Sequence, residues 1–150
     1  MVSSFDSKLV INSMLLGAVV TMFFLVSSFN AEILVKHQTL AIQMVLAIPL
    51  FVSACFASSL QSEKNGLIWY TFGWISFIFA YSFTINSVGI IISSITSATI
   101  GISFFIFSIF LSLIYSFLLV VYEKSNLIER VLKDLVFILI LFFLGILVVL

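Results

Sequence analysis

Glu32 and His37 are the residues in this sequence that come closest to an acid–base or metal-binding pair. A carboxylate and an imidazole can exchange a proton or share a zinc ion. Their spacing of five residues does not put them on one clean helical face, and a catalytic zinc usually has three protein ligands. We therefore expect a solvated loop histidine. A membrane enzyme that uses Glu32 and His37 is kept as a third hypothesis.

Intramembrane proteases and proton-coupled transporters need catalytic or ionisable side chains inside the membrane, where we expect none in this chain. Intramembrane proteolysis requires paired aspartates, a serine–histidine pair or a metal motif. Asp6 lies near the start of the chain, and we expect Asp134 beside the membrane rather than within it. Proton-coupled transporters usually carry an ionisable side chain inside the membrane, and we expect none at mid-span depth here. The sequence therefore predicts a protein that is not an enzyme and has no metal or cofactor.

The composition predicts that the chain lies in a lipid bilayer. Of its 150 residues, 63% are hydrophobic and 8% are charged, whereas soluble domains carry about 25% charged residues. We expect one integral membrane domain of the all-α class, in a prokaryotic cell membrane. Acidic and basic residues are equal in number, which gives no indication of a nucleic-acid partner.

The charged residues divide the chain into stretches that could cross a membrane. About 20 apolar residues, at 1.5 Å each, cover the roughly 30 Å of hydrocarbon. Residues 67–122 contain no charged side chain and are too many for one helix, so we predict two helices joined by a turn near residues 93–97. The prediction is a bundle of five transmembrane helices, at about residues 9–29, 39–60, 67–92, 98–122 and 132–150.

The last predicted helix begins with a charged segment. Asn126 is a plausible N-cap, with Glu129 three residues later as in a capping box. Glu129, Arg130 and Lys133 form one face and apolar residues form the other, which is typical of an amphipathic helix. We expect this segment to lie on the cytoplasmic interface as a contact surface before the helix enters the membrane. The alternative is an interfacial helix that never crosses.

The basic residues predict an orientation. With five spans, Lys36 lies alone on one side of the membrane. The other side carries Lys8, Lys64, Lys124, Arg130 and Lys133. Because basic loops stay in the cytoplasm, the N-terminus is predicted inside and the C-terminus outside. Aromatic rings that prefer the interface, such as Trp69 and Tyr122, fall on the same cytoplasmic side.

Small and polar residues recur at helical spacing in the third and fourth predicted helices. They are Gly73, Ala80 and Thr84 in the third, and Ser97, Gly101, Ser108, Ser112 and Ser116 in the fourth. Asn86, also in the third, is a strong hydrogen-bonding side chain that could join helices or line a pore. Small residues let membrane helices approach closely, so we interpret these stripes as packing surfaces. A hydroxyl-lined pore is the alternative. Pro49 lies within the second predicted helix, where it clashes with the carbonyl of Val45 and should cause a kink.

Two main hypotheses follow for function. The first is a small non-catalytic subunit or scaffold of a membrane assembly, which packs against copies of itself or another membrane protein. The second is a homo-oligomeric channel or membrane-permeabilising effector, lined by side chains such as Asn86 and Ser108. The absence of recognisable site chemistry together with the small-residue stripes favours the first hypothesis.

Overall fold

The described part of the chain comprises residues 4–60, 66–123 and 126–150 of a computed structural model. Side chains are described for residues 9–60, 66–122 and 126–150. Three basic residues used in the orientation argument lie outside the described side chains, namely Lys8, Lys64 and Lys124. The inside-versus-outside orientation therefore stays a prediction.

Every element in the described ranges is helical. The helices are α1 (Ser4–Phe29), α2 (Ala31–Lys36), α3 (Gln38–Leu60), α4 (Gly66–Ile95), α5 (Ala98–Glu123) and α6 (Leu127–Leu141). A π-helical turn, Phe142–Ile146, and a last α-helical turn, Leu147–Val149, continue α6. Five described stretches are long and apolar enough to cross a membrane. The predictions of an all-helical chain with five such helices and of an integral membrane protein are confirmed.

The break between α4 and α5 falls at residues 96 and 97, within the predicted range. The Thr96 hydroxyl donates to the carbonyl of Ile92 at 2.6 Å. The Ser97 hydroxyl accepts from the backbone N–H of Ile100 at 3.4 Å. Hydroxyl side chains thus partner backbone groups at the ends of both helices, as a chain break in a membrane protein requires.

The first compact unit of the chain is Met1–Thr84. Within it α1 packs along α3, and the buried side chains of α3 include Leu40, Met44 and Phe51. α3 continues through Pro49 without a break in the helix. The predicted kink stays a prediction.

The second compact unit is Ile85–Leu150, which contains the last turns of α4, all of α5 and the helix that begins at Leu127. Its buried apolar side chains include Ile90, Phe105 and Leu141. Asn126 caps α6, since its side chain accepts from the Ile128 N–H at 3.1 Å. The single-domain organisation of the whole chain stays a prediction.

Candidate functional site

A carboxylate on α6 is held by two serine side chains of α5. The Ser116 hydroxyl donates to Oδ1 of Asp134 at 2.8 Å, and the Ser112 hydroxyl donates to the same oxygen at 3.4 Å. The two serines are four residues apart, so they lie on one face of α5. We call Asp134, Ser112 and Ser116 the Asp134 site.

The Asp134 site lies within the membrane-length stretches of both helices. Ser112 is about 16 Å along α5 from its end at Glu123, and Asp134 is about 10 Å along α6 from its start at Leu127, at 1.5 Å per residue. Both residues fall inside stretches that could cross a membrane, Ala98–Tyr122 and Leu127–Val149. The expectation that Asp134 lies beside the membrane stays a prediction.

The basic residues near Asp134 engage other groups. Lys133 forms an ion pair with Glu129 one turn earlier on α6, and Arg130 also has an interaction of its own. Among the residues that the structure describes, no cationic group lies within 4 Å of the Asp134 carboxylate. Glu129, Arg130 and Lys133, the predicted cytoplasmic contact, are half-buried. The Asp134 carboxylate thus has hydroxyl partners but no described counter-charge.

An open groove runs beside the Asp134 site. Its volume is about 340 Å³. Its lining residues are Leu113, Val131, Asp134, Leu135, Ile138 and Leu139. Asp134 is therefore the one charged residue in an otherwise apolar lining. We call this feature the α5–α6 groove.

Asn86 makes a second buried polar contact in this unit. Its side chain is fully buried, and its Nδ2 donates to the carbonyl of Ile140 at 3.3 Å. Its Oδ1 is buried without a hydrogen-bond partner. Gly145, in the π-helical turn, lies so close to Asn86 that a methyl group there would collide with Oδ1. Asn86 thus joins the end of α4 to the last helix.

The other residues of the predicted α5 stripe divide into two groups. Gly101 contacts α4, because a Cβ built on it would lie 2.7 Å from the Ser93 Cβ and 3.2 Å from the Gly89 carbonyl oxygen. Ser108 instead bonds its own helix, at the carbonyl of Phe104. Ser97 caps the start of α5. The stripe therefore serves interhelical contacts at some positions and local bonds at others.

The predicted residues of α4 that belong to the first unit show the same division. Gly73 lies against α3, where a Cβ would be 3.1 Å from the Cβ of Ala57. Ala80 is fully buried. Thr84 bonds its own helix, at the carbonyl of Ala80.

Glu32 and His37 lie at the two ends of α2. Glu32 is in the first turn and exposed, while His37 follows the last residue and donates its backbone N–H to Ile33 at 2.9 Å. In the described residues no three His, Cys, Asp or Glu side chains are grouped closely enough to hold a metal ion. Glu32 and His37 therefore lie at opposite ends of the six-residue helix α2.

The spacing of Ser112 and Ser116 is evident from the sequence, but their shared partner Asp134 was not predicted. The sequence pattern that could have indicated it is a carboxylate seven residues after the start of an apolar helix, together with two serines four residues apart on the preceding helix.

The chain matches no protein-family model, no curated protein and no solved structure.

Proposed function

We propose that the protein is a non-catalytic subunit or scaffold of a membrane assembly, and that a second copy docks on its first helix. The observation that supports this proposal is the exposed small-residue face of α1. A Cβ built on Gly17 would meet no atom within 4 Å, and Thr21, one turn later, is also exposed. Small residues four apart are the usual means of close approach between membrane helices.

The first helix differs in this respect from α4 and α5. Gly73, Gly89 and Gly101 already lie against side chains of this chain. Among the described side chains of α1, by contrast, Asn12 and Val19 alone are buried. A second copy suits this face because two identical Gly17–Thr21 surfaces can meet around a two-fold axis. Their small side chains let the two helix backbones approach closely.

The proposal is tested by the mass of the purified full-length chain in nanodiscs, measured by native mass spectrometry. We expect a wild-type dimer that Gly17→Leu and Thr21→Leu convert to monomer. Ala18→Leu is the matched control, because Ala18 is exposed on the same helix but points about 100° away. A wild-type monomer, or equal loss of the dimer in all three variants, would contradict docking on this face. A complex with a different chain would identify another partner.

The finer topology belongs to the same proposal. The N-terminus lies in the cytoplasm and the C-terminus outside, in a prokaryotic cell membrane. The support is the excess of basic residues on one side of a five-span chain. Reporter fusions at each terminus would test the orientation, and a cytoplasmic signal from both ends would show that the last helix does not cross.

The homo-oligomeric channel is the second candidate. It needs polar side chains that face water, yet Asn86 is fully buried and Ser108 bonds the carbonyl of Phe104. Ion flux through liposomes that changes with Asn86→Ala or Ser108→Ala would support a channel. Liposomes that stay tight at high protein content would count against it.

A further inference from the structure

We propose that the α5–α6 groove binds a single-chain alkylammonium compound, with the cationic head at Asp134 and the alkyl chain along the apolar lining. This inference goes beyond the proposed assembly function and does not depend on it. Two independent features support it, namely a carboxylate without a described counter-charge and an apolar groove that this carboxylate lines.

The first feature is the arrangement of the Asp134 carboxylate. Ser112 and Ser116 both donate to Oδ1, and the described residues provide no hydrogen bond to Oδ2. A carboxylate in a stretch that enters a membrane is costly to keep charged unless a cation pairs with it. Because Lys133 is paired with Glu129 and Arg130 has an interaction of its own, we assign the complementary charge to a bound cation.

The second feature is the shape and lining of the groove. From Val131 to Leu139 it follows α6 for about 12 Å, at 1.5 Å per residue. Five of its six lining residues are apolar, and its volume is about 340 Å³. Ligand sites of roughly 300–1,000 Å³ are typically apolar with a few polar groups that fix orientation. This volume is at the small end of that range, so the groove suits one short alkyl chain rather than the two acyl chains of a bilayer lipid.

Decyltrimethylammonium is a suitable probe because its charge does not depend on pH. The full-length protein in phosphatidylcholine nanodiscs is dialysed to equilibrium against the radiolabelled probe, and uptake by protein-free nanodiscs is subtracted. We expect saturable binding at one probe per chain. Asp134→Asn should weaken it by about tenfold or more, because the charge partner is lost. Glu32→Gln removes the same charge at an exposed position on α2 and should leave binding unchanged.

A second pair of variants keeps the carboxylate and tests the groove. Ile138→Trp should abolish binding because the indole fills the space for the chain. Leu111→Trp adds the same ring at an exposed position outside the lining and should retain binding. This pair decides the question if Asp134→Asn fails to fold.

Three results would overturn the proposal. They are no saturable uptake above protein-free nanodiscs, wild-type affinity in a folded Asp134→Asn variant, and wild-type affinity in Ile138→Trp. A fourth such result is an equal loss in Glu32→Gln and Asp134→Asn, which would show a general charge effect.

Discussion

Replacing Gly101 by alanine tests the contact between α4 and α5. The new Cβ would lie 2.7 Å from the Ser93 Cβ, 3.3 Å from the Ser93 Cα and 3.2 Å from the Gly89 carbonyl oxygen. Two of these atoms are backbone and cannot rotate away. The same substitution at Gly17 meets no atom of this chain within 4 Å, so it serves as the matched control when both variants are measured in the Thr21→Leu background, in which the proposed dimer is absent.

The expected magnitude follows from two opposing effects. Alanine in place of glycine stabilises a helix by roughly 0.5–1 kcal/mol. Overpacking a close contact costs about 1–3 kcal/mol. Gly17→Ala should therefore raise the free energy of unfolding by roughly 0.5–1 kcal/mol, whereas Gly101→Ala should lower it by about 0.5–2 kcal/mol, because the helix gain is smaller than the steric cost.

The assay is SDS titration in mixed micelles, with amide hydrogen exchange of residues 85–123 reporting the opening of this unit. Ser93→Gly provides a further check, since it removes the nearest colliding atom. In the Gly101→Ala background it should recover part of the loss, and the double-mutant cycle should give a coupling of about 0.5 kcal/mol or more. Equal shifts in Gly101→Ala and Gly17→Ala, in the same direction, would refute this account of the interface.

Two further predictions concern the last helix. Ser116→Ala should lower the free energy of unfolding by about 1 kcal/mol, and Ser112→Ala by less, because their bonds to Asp134 are 2.8 Å and 3.4 Å long; the same titration measures both, and a larger loss from Ser112→Ala would contradict the geometry. Asn126→Ala should cost about 1 kcal/mol by removing the cap on Ile128, while Asn126→Asp, which keeps the acceptor, should lose little; hydrogen exchange in the first turn of α6 distinguishes them, and equal exchange in both variants would mean that the cap is unimportant.

Much of the helical architecture was predictable because it depends on local composition. A stretch without charges is either long enough to cross hydrocarbon or not, and this alone indicated five helices. The turn near residues 93–97 followed from helix length. The cap at Asn126 followed from residue type, since a short polar side chain just before an apolar helical stripe is typical of an N-cap.

The contacts of individual side chains could not be predicted in this way. Whether Ser116 faces lipid, a partner or Asp134 depends on the register and rotation of α5 against α6. An apolar sequence does not determine this rotation, because lipid tails are as apolar as leucine and no face of the helix is driven to be buried. The same holds for Asn86 and the carbonyl of Ile140. Composition determined that the chain forms membrane-length helices, whereas only the tertiary structure decided that Asp134 would accept hydrogen bonds from two serines of α5.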